Sequence, residues 1–291
     1  MDTKSKIFLI AGPTASGKSS FAIKLAKKIN GEIINADSMQ VYKEFKILTA
    51  RPKKKDQKNI KHHLYGFQSV KKNFSTGQWL TLAKKKIKEI QKKNKTPILV
   101  GGTGLYFKVI TEGLVKIPKI PLKLKSQIRN LQKKLGQDEF YKRLIKIDPL
   151  IKNKINPKDP QRSIRAFEVK KYSKVSLIEW FKKTDKKFED KHFLKIYIDF
   201  PRQGLIKRIN IRVDKMFKEG AINEVKKFLK LNIKEDKSPS KIIGINEIKK
   251  YLSKEIDLML AKELIAIKTR QYAKRQSTWA RGHMSSWKKV I

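Results

Sequence analysis

A glycine-rich segment near the amino terminus, Gly12–Ser19, constrains the fold of this chain more than any other feature of its sequence. The segment fits the pattern G-x-x-x-x-G-K-[ST] at every fixed position. An apolar run, Lys6–Ala11, precedes it, and residues 20–29 carry apolar side chains at helical spacing. A glycine loop between a strand and a helix directs backbone N–H groups and the helix N-terminus at a bound anion. The sequence therefore predicts a site for a diphosphate or a triphosphate.

Two side chains of this phosphate loop have predicted roles of their own. Lys18 is expected to reach the terminal phosphoryl group, and the Ser19 hydroxyl is expected to hold Mg²⁺. The residues predicted to surround the phosphate groups are Gly12, Pro13, Thr14, Ala15, Ser16, Gly17, Lys18 and Ser19.

Strand and helix patterns alternate in the first part of the chain. A second apolar run, Glu32–Ala36, is followed by an amphipathic helical pattern over residues 78–93 and by a third run, Pro97–Val100. Such alternation is typical of an α/β fold in which helices cover both faces of a parallel sheet. Because the first strand leads into a phosphate loop, we expect a core like that of the P-loop NTPases.

The pattern changes after Gly113. Residues 114–196 contain no convincing strand pattern, and a strand pattern returns only at Leu194–Asp199. Helical patterns in and after this region cover Leu122–Leu135, Glu139–Ile147, Arg202–Phe217, Ala221–Leu231 and Asp257–Lys274. We therefore expect a catalytic core made of residues 1–113 and 197–291, interrupted by an all-helical insertion domain at residues 114–196.

The ends of the predicted strands indicate where polar side chains meet. The third run ends in Gly101-Gly102-Thr103, without the carboxylate with which many P-loop enzymes hold a metal ion at this point. The acid instead follows the second run, as Asp37. Because ligands bind outside the carboxyl ends of parallel strands, we expect Asp37, Thr103 and the phosphate loop to converge on one crevice.

Charge and composition narrow the functional classes. The chain has 71 basic and 26 acidic residues and a formal net charge of +45 at pH 7. A polyanionic partner such as nucleic acid suits this charge, but 60 of the basic residues are lysine, a bias that an AT-rich genome also produces. The absence of cysteine excludes disulfides, a thiol nucleophile and Cys-ligated zinc or iron–sulfur sites. No apolar stretch is long enough to span a membrane, and the first strand begins too early for a leader, so we expect a cytoplasmic protein.

Six motifs occur in an order that resembles one enzyme family. They are Gly12–Ser19, Asp37-Ser-Met-Gln-Val-Tyr42, His62-His-Leu64, Leu99-Val-Gly-Gly-Thr-Gly-Leu-Tyr106, Asp159-Pro-Gln-Arg-Ser-Ile-Arg165 and Thr269-Arg-Gln-Tyr-Ala-Lys-Arg-Gln-Ser-Thr-Trp279. Together they resemble the bacterial tRNA dimethylallyltransferase family, also called the tRNA isopentenyltransferases, over residues 6–283.

The resemblance implies a reaction and its participants. Family members transfer a dimethylallyl group from dimethylallyl diphosphate to N6 of the adenosine on the 3′ side of a tRNA anticodon, and diphosphate leaves. The phosphate loop would then hold an isoprenoid diphosphate together with Mg²⁺, no nucleoside triphosphate would be hydrolysed, and whether the loop also binds ATP stays open. The helical insertion would grip the anticodon stem-loop of the tRNA, and the enzyme is expected to be a monomer.

The resemblance also implies roles for individual residues. Asp37 matches the family's general base, and Thr103 matches a residue that orients the reacting groups. Lys18 is expected to stabilise the leaving group, and Arg208 and Arg212 are the arginines expected to clamp it. The residues expected to contact tRNA are Asp37, Ser38, Met39, Gln40, Thr103, Gln161, Arg162, Ser163, Ile164 and Arg165.

Three other functions stay open at this point. An enzyme that prenylates free adenine nucleotides would not need the helical insertion. A small-molecule P-loop kinase would transfer a phosphoryl group from ATP and should carry a second acid for its metal ion. An RNA-binding protein with an inactive loop would have no use for Lys18, Ser19, Asp37 and Thr103 together.

One departure from the family pattern lies at Leu48, where glycine is common.

Overall fold

The computed structural model, which describes residues 6–57, 59–182, 184 and 188–291, is built around one β-sheet. Its strands are β1 (Ile7–Ala11), β2 (Gly31–Asn35), β3 (His62–His63), β4 (Thr96–Gly101), β5 (Phe193–Ile198) and β6 (Lys288–Val290). They lie in the order β3-β2-β4-β1-β5-β6, and every neighbouring pair is parallel. The predicted α/β fold with a parallel sheet is confirmed.

Helices connect the strands and form most of the remaining structure. In the described residues they are α1 (Lys18–Lys28), α2 (Lys54–Gln57), α3 (Thr76–Gln91), α4 (Gly104–Glu112), α5 (Leu122–Ile147), α6 (Pro160–Ser173), α7 (Leu177–Lys182), α8 (Arg202–Lys218), α9 (Ala221–Leu229), α10 (Ile245–Leu252) and α11 (Leu258–His283). α11 continues beyond Lys274, its predicted end, because Ala280 on its later turns packs into the core. Among the helices of the described ranges, none combines the length and the apolarity that a membrane crossing requires.

Alternating side chains of the central strand divide the core of the sheet into two layers. Ile7 and Leu9 of β1 belong to one layer, which also contains Trp79 of α3. Phe8 and Ile10 belong to the other layer, which α1 covers. Because helices cover both faces, every residue of β1 is buried, and this explains why its sequence is apolar throughout.

The helices after β5 form a cluster of their own. α8, α9, α10 and α11 contribute buried side chains to it, and so does the segment that follows β2. The ring of Phe45 from this segment lies 4.8 Å from the ring of Phe228 of α9. The segment between β2 and α2 is therefore held against α8 and α9, close to the carboxyl ends of the strands.

The chain divides into two compact units. The first comprises Met1–Thr111 and Phe188–Ile291 and contains the sheet, and the second comprises Glu112–Lys187. The helical insertion expected at residues 114–196 therefore extends too far, since residues 188–196 belong to the first unit. The physical reason is β5, which starts at Phe193 and pairs with β1 from Ile7 onward.

The second unit has a core of its own between α5 and α6. Phe140 of α5 and Phe167 of α6 stack with their ring centres 5.0 Å apart. α5 consists of two helical arms that meet at Gly136, whose φ of 74° lies in the left-handed region that glycine favours. The bend falls at the predicted break between residues 135 and 139.

Candidate active site

The phosphate loop joins β1 to α1. Gly12 has no room for a side chain, because a Cβ there would lie 3.0 Å from the Ile198 carbonyl oxygen of β5. Gly17 precedes α1 with a φ of 89°, a left-handed conformation that disfavours any other residue. The two glycines let the loop turn tightly, so that the first N–H groups of α1 lie beyond the end of β1 and are available to an anion.

Lys18 is folded back over this loop. Its Nζ donates a hydrogen bond to the Pro13 carbonyl oxygen at 3.0 Å. Burial lowers the pKa of the Lys18 ammonium from 10.5 to about 8, while attraction to Asp37 opposes this effect and repulsion from Arg212 adds to it. A partly desolvated cation that lacks full compensation favours the binding of an anion next to it.

α8 brings two arginines, one helical turn apart, to the loop. Arg212 Nη1 donates to the Thr14 hydroxyl at 3.0 Å, while its buried Nε finds no hydrogen-bond partner among the described residues. Burial lowers the pKa of the Arg212 guanidinium. The Arg208 guanidinium lies 3.7 Å from the centre of the Phe200 ring, and its Nη1 lies 3.5 Å from the Ala15 carbonyl oxygen. Both arginines thus have donor groups beside the loop, as their predicted role requires.

Asp37 follows β2, and its carboxylate lies on the wall of the crevice. The Asn35 side chain fixes this turn, because its Oδ1 accepts the Asp37 N–H at 2.9 Å and its Nδ2 donates to the Asp37 carbonyl oxygen at 2.9 Å. The Asp37 Oδ1 accepts the Met39 N–H at 2.9 Å. The half-exposed side chain lines the same cavity as Lys18 and Ser19. The structure therefore brings Asp37 and the phosphate loop together, as the strand ends indicate.

Thr103 lies beside Asp37 because the loops after β2 and β4 meet. Its Oγ1 accepts the Ser38 N–H at 2.9 Å and donates to the Ser38 Oγ at 3.2 Å. Its own N–H donates to the Ala36 carbonyl oxygen at 3.2 Å. This approach requires glycine at position 101, since a Cβ on Gly101 would lie 2.0 Å from the same carbonyl oxygen.

Two cavities adjoin at this edge of the sheet. The first, here called the loop cavity, has a volume of about 120 Å³, and Lys18, Ser19, Gln40, Tyr65 and Gly101 are among the residues that line it. The second, here called the apolar cavity, has a volume of about 200 Å³, and its lining includes Met39, Leu48, Val213, Met216, Ile242 and Ile265. Four residues line both cavities, namely Thr14, Asp37, Thr49 and Arg212. A ligand that spans both would pass directly beside the Asp37 carboxylate.

Gln276 of α11 completes the site, although its sequence motif gave it no individual role. Its Oε1 accepts the Thr14 N–H at 2.8 Å, and its Nε2 donates to the Gly102 carbonyl oxygen at 2.8 Å. The Ser16 N–H is also committed, because it donates within the loop to the Pro13 carbonyl oxygen at 3.3 Å. These two amides therefore already have hydrogen-bond partners within the protein.

Two tyrosines that the sequence patterns did not single out also line the cavities. Tyr65 borders the loop cavity, and Tyr272 of α11 borders the apolar cavity. Burial raises the pKa of both phenols well above the usual range, and the negative charge of Asp37 raises each pKa further. Both side chains are therefore uncharged at neutral pH and can serve as hydrogen-bond donors.

In the second unit, polar residues expected to contact RNA lie on the first turns of α6. Gln161 and Arg162 are exposed, and Arg165 is half-exposed. Arg162 Nε lies 3.4 Å from Asp159 Oδ2, and Arg165 Nη1 lies 3.5 Å from Glu168 Oε2. All three side chains are accessible from solvent on this face of the unit.

Ser163 and Ile164, which were also expected to contact RNA, have internal contacts instead. Ser163 is fully buried, its Oγ donates to the Asp159 carbonyl oxygen at 2.8 Å, and the same atom accepts from Gln137 Nε2 at 3.2 Å. Ile164 packs against the core of the second unit. Both side chains face the interior of the unit, and the tRNA contact expected at these two positions stays a prediction. A helix that begins at Pro160 turns them toward the interior while its neighbours stay outside.

Comparisons of the sequence with known proteins match nearly its whole length. The family model described as IPP transferase matches residues 40–283. A tRNA dimethylallyltransferase from Pelagibacter ubique (strain HTCC1062) is 63% identical over 290 residues, which cover 100% of this chain and 93% of that protein. One from Rickettsia massiliae (strain Mtu5) is 45% identical over 278 residues, which cover 95% of this chain and 76% of that protein.

Solved structures show the same fold. The full-length tRNA isopentenylpyrophosphate transferase from Bacillus halodurans has a TM-score of 0.69 and 32% sequence identity, and the match covers 98% of this chain and 89% of that one. A eukaryotic dimethylallyltransferase acting on tRNA has a TM-score of 0.82 and 30% identity, and the match covers 94% of this chain and 69% of that one. The likeness therefore extends well beyond the phosphate loop and its sheet.

Proposed function

Because the chain belongs to the IPP transferase family, we propose how the residues of its site carry out the family's reaction. The chain is an enzyme with tRNA dimethylallyltransferase activity, and tRNA is its substrate. We assign the diphosphate of the donor, dimethylallyl diphosphate, to the loop cavity and its five-carbon group to the apolar cavity. This assignment rests on the position of Asp37, which lines both cavities.

The positively charged side chains at the loop cavity favour the binding of a diphosphate. Lys18 and Arg212 line it, and Arg208 lies against the loop. As the allylic C–O bond breaks, negative charge gathers on the departing diphosphate, and donors that are already in place stabilise it. Arginine can bind two phosphate oxygens at once, so these side chains also fix the orientation of the leaving group.

The apolar cavity suits the dimethylallyl group. Hydrocarbon side chains such as Leu48, Val213 and Met216 line it, so a five-carbon chain placed there is removed from water. Thr14 and Arg212 lie where the two cavities meet. A donor molecule that fills both cavities would therefore have its reactive carbon, C1, at this junction and beside Asp37.

Asp37 acts as the general base in this proposal. The exocyclic amine of adenosine is a weak nucleophile, because its lone pair is delocalised into the ring. As the N6 lone pair forms a bond to C1, the C1–O bond breaks, its electrons leave with the diphosphate, and the amine proton passes to the carboxylate. The Asp37 Oδ1 is held by the Met39 N–H, which leaves Oδ2 to receive the proton.

The acceptor adenosine must leave its stack in the RNA to reach Asp37. Thr103 and Ser38 form a hydrogen-bonded pair next to the carboxylate, and each hydroxyl can make a further hydrogen bond. We assign the adenine ring to this side of Asp37, with its N6 at the junction of the two cavities, within reach of Gln40 of the loop cavity and Met39 of the apolar cavity. The two hydroxyls would then keep N6 directed at the reactive carbon.

Contacts with the rest of the tRNA are assigned to exposed polar side chains. On the second unit these are Gln161, Arg162 and Arg165, proposed to contact the anticodon stem-loop. The net charge of +45 supports an RNA partner for the chain as a whole. A tRNA substrate fits the expected cytoplasmic location. We also expect the enzyme to be a monomer.

The donor set of the loop cavity fits Mg²⁺. Mg²⁺ prefers oxygen ligands and is usually held by one or two protein oxygens together with substrate phosphates. The Ser19 hydroxyl lines the loop cavity at the start of α1, so Ser19 is the residue that would hold the ion next to the diphosphate. When bound, Mg²⁺ would neutralise part of the charge on the leaving group.

Incubation with labelled dimethylallyl diphosphate and unmodified tRNA tests the proposal. We expect the label at N6 of the adenosine that follows the anticodon, identified by nuclease digestion and mass spectrometry, with one diphosphate released for each label. Parallel reactions with free AMP and with γ-labelled ATP test the alternative functions. Faster labelling of AMP than of tRNA would favour an enzyme for free nucleotides, and phosphoryl transfer from ATP to a small molecule would overturn the proposal.

A further inference from the structure

Glu224, on the first turn of α9, binds three consecutive backbone N–H groups. Its Oε1 accepts from Lys46 at 2.7 Å and from Ile47 at 2.8 Å, and its Oε2 accepts from Leu48 at 2.9 Å. Hydrogen bonds to an ionised carboxylate are stronger than those between neutral groups. One side chain of α9 therefore fixes a segment that lies more than 170 positions earlier in the chain.

The segment that Glu224 binds continues directly into the wall of the active site. Leu48 lines the apolar cavity, Thr49 lines both cavities, and Ala50 lines the loop cavity. The Leu48 side chain also fills the space at the start of α10, where a Cβ on Gly244 would lie 2.8 Å from its Cδ2. The position of this wall thus depends on Glu224 on one side and on tight packing on the other.

Gln40 is bound to the same segment. Its Nε2 donates to the carbonyl oxygens of Thr49 at 2.9 Å and Ala50 at 3.4 Å. Because carbonyl oxygens only accept, these bonds fix the orientation of the amide and leave its Oε1 as the atom available to a ligand. Gln40 and Asp37 both line the loop cavity. An acceptor oxygen there suits the exocyclic amine of adenine, which is a donor.

We propose that Glu224 is a positioning residue, which sets the orientation of Gln40 and thereby the recognition of the acceptor adenosine. The inference rests on the proposed function, in which Gln40 contacts the extruded base. Glu224 is not one of the described residues that line the two cavities. It therefore acts through residues 46–50 and not by touching a substrate.

Conservative changes separate this role from a general effect on the fold. Glu224→Gln replaces Oε2, the acceptor for the Leu48 N–H, by an amino group that can only donate. Glu224→Asp keeps the charge on a shorter side chain and should have a smaller effect. Glu219→Gln is the matched control, because the Glu219 carboxylate pairs with a side chain of the following segment, with Lys53 Nζ 2.6 Å from its Oε1.

A double-mutant cycle tests the coupling between Glu224 and Gln40. With saturating donor and an anticodon stem-loop RNA, Glu224→Gln and Gln40→Ala should each raise the KM for RNA about tenfold, and kcat should change by less than about threefold. Since both changes remove the same contact with the base, the double variant should also show about a tenfold increase and not about a hundredfold one. Glu219→Gln should match the wild type.

Each other result has a definite meaning. An unchanged KM for Glu224→Gln, or an increase of about a hundredfold in the double variant, would overturn the inference and leave the proposed function standing. An unchanged KM for Gln40→Ala would instead refute the assignment of Gln40 to the adenosine. Melting temperatures and the affinity for inorganic pyrophosphate show whether each variant is folded. If Glu224→Gln melts below the assay temperature, Glu224→Asp takes its place in the cycle.

Discussion

Thr14 and Gln276 lie 262 positions apart in the sequence, yet the Thr14 N–H donates to the Gln276 Oε1 at 2.8 Å. The same side chain donates through Nε2 to the Gly102 carbonyl oxygen, also at 2.8 Å. One residue of α11 therefore connects the phosphate loop to the turn that carries Thr103. The distance between the site for the leaving group and the site for the adenosine depends on this connection.

Gln276→Leu should impair catalysis strongly, because it removes both hydrogen bonds while keeping a side chain of similar size. We expect kcat/KM for RNA to fall by about 10²-fold, the loss that follows when reacting groups are displaced by about 1 Å. Initial rates with both substrates measure this effect. Gln203→Leu, at an exposed position of α8, is the control and should behave like the wild type. A normal kcat/KM for Gln276→Leu would contradict the prediction.

Asp37→Asn should abolish turnover and leave RNA binding nearly intact. Asparagine keeps the oxygen that accepts the Met39 N–H, so the turn should persist. We expect kcat to fall by about 10²–10⁴-fold, the usual contribution of a general base. Fluorescence anisotropy with a labelled stem-loop measures binding of the RNA. A loss of binding as large as the loss of turnover would show that Asp37 mainly holds the substrate.

Lys18 should make diphosphate binding depend on pH. Its pKa of about 8 means that the free enzyme loses this positive charge as the pH rises through 8. The wild type should therefore bind inorganic pyrophosphate less tightly above pH 8, and its advantage over Lys18→Met should shrink by about tenfold between about pH 7 and pH 9.5. Titration calorimetry of both proteins over this range measures the ratio of affinities. A ratio that is independent of pH would assign the diphosphate contact to other groups.

The same lowered pKa predicts an effect on stability. The pKa of Lys18 is lower in the folded chain than its ordinary value of 10.5, so the unfolded chain binds more protons between about pH 8 and pH 10.5. The contribution of Lys18 to the free energy of unfolding therefore rises with pH across that window. At pH 7 the partly desolvated charge is destabilising, so Lys18→Met should raise the melting temperature, and the gain should shrink toward pH 10.5. Scanning fluorimetry checks this, with the exposed Lys24→Met of α1 as the control. A lower melting temperature for Lys18→Met at pH 7 would contradict it.

Leu48→Ala should change the length of prenyl chain that the enzyme accepts. The substitution removes part of the wall of the apolar cavity, so the ratio of kcat/KM for a ten-carbon donor to that for the five-carbon donor should rise by about tenfold. Competition between the two diphosphates, with mass spectrometry of the RNA product, measures this ratio. Leu205→Ala, a similarly buried leucine of α8 outside the apolar cavity, is the control for lost packing. An unchanged ratio would place the hydrocarbon chain elsewhere.

The parts of the site that could be predicted from sequence are encoded locally or follow from the sheet. The phosphate loop needs only its own glycines and the strand and helix on either side of it. Asp37 and Thr103 each follow a strand pattern, and a parallel sheet brings such strand ends together without further information. Arg208 and Arg212 are one helical turn apart, so a helix that brings one of them to the loop brings the other.

The remaining parts depend on contacts between distant segments, which no spacing in the sequence indicates. Nothing in the local pattern pairs Gln276 with Thr14 or Glu224 with residues 46–48, because each contact depends on how α9 and α11 pack. The edge strands β3 and β6 were missed because two or three residues are too few to show a period. The burial of Ser163 depends on where α6 begins, which fixes the face that points inward.

The hydrogen bond between Thr14 and Gln276 also determines when the active site can form during translation. A ribosome completes the phosphate loop early and adds α11 late, so the nascent chain can assemble β1, β2 and β4 well before Gln276 has been made. During that interval the loop lacks its hydrogen bond to Gln276, which links it to the turn that carries Thr103. Catalytic competence therefore arises late in translation, and messages truncated upstream of codon 276 should yield polypeptides that retain the glycine motif yet modify no RNA.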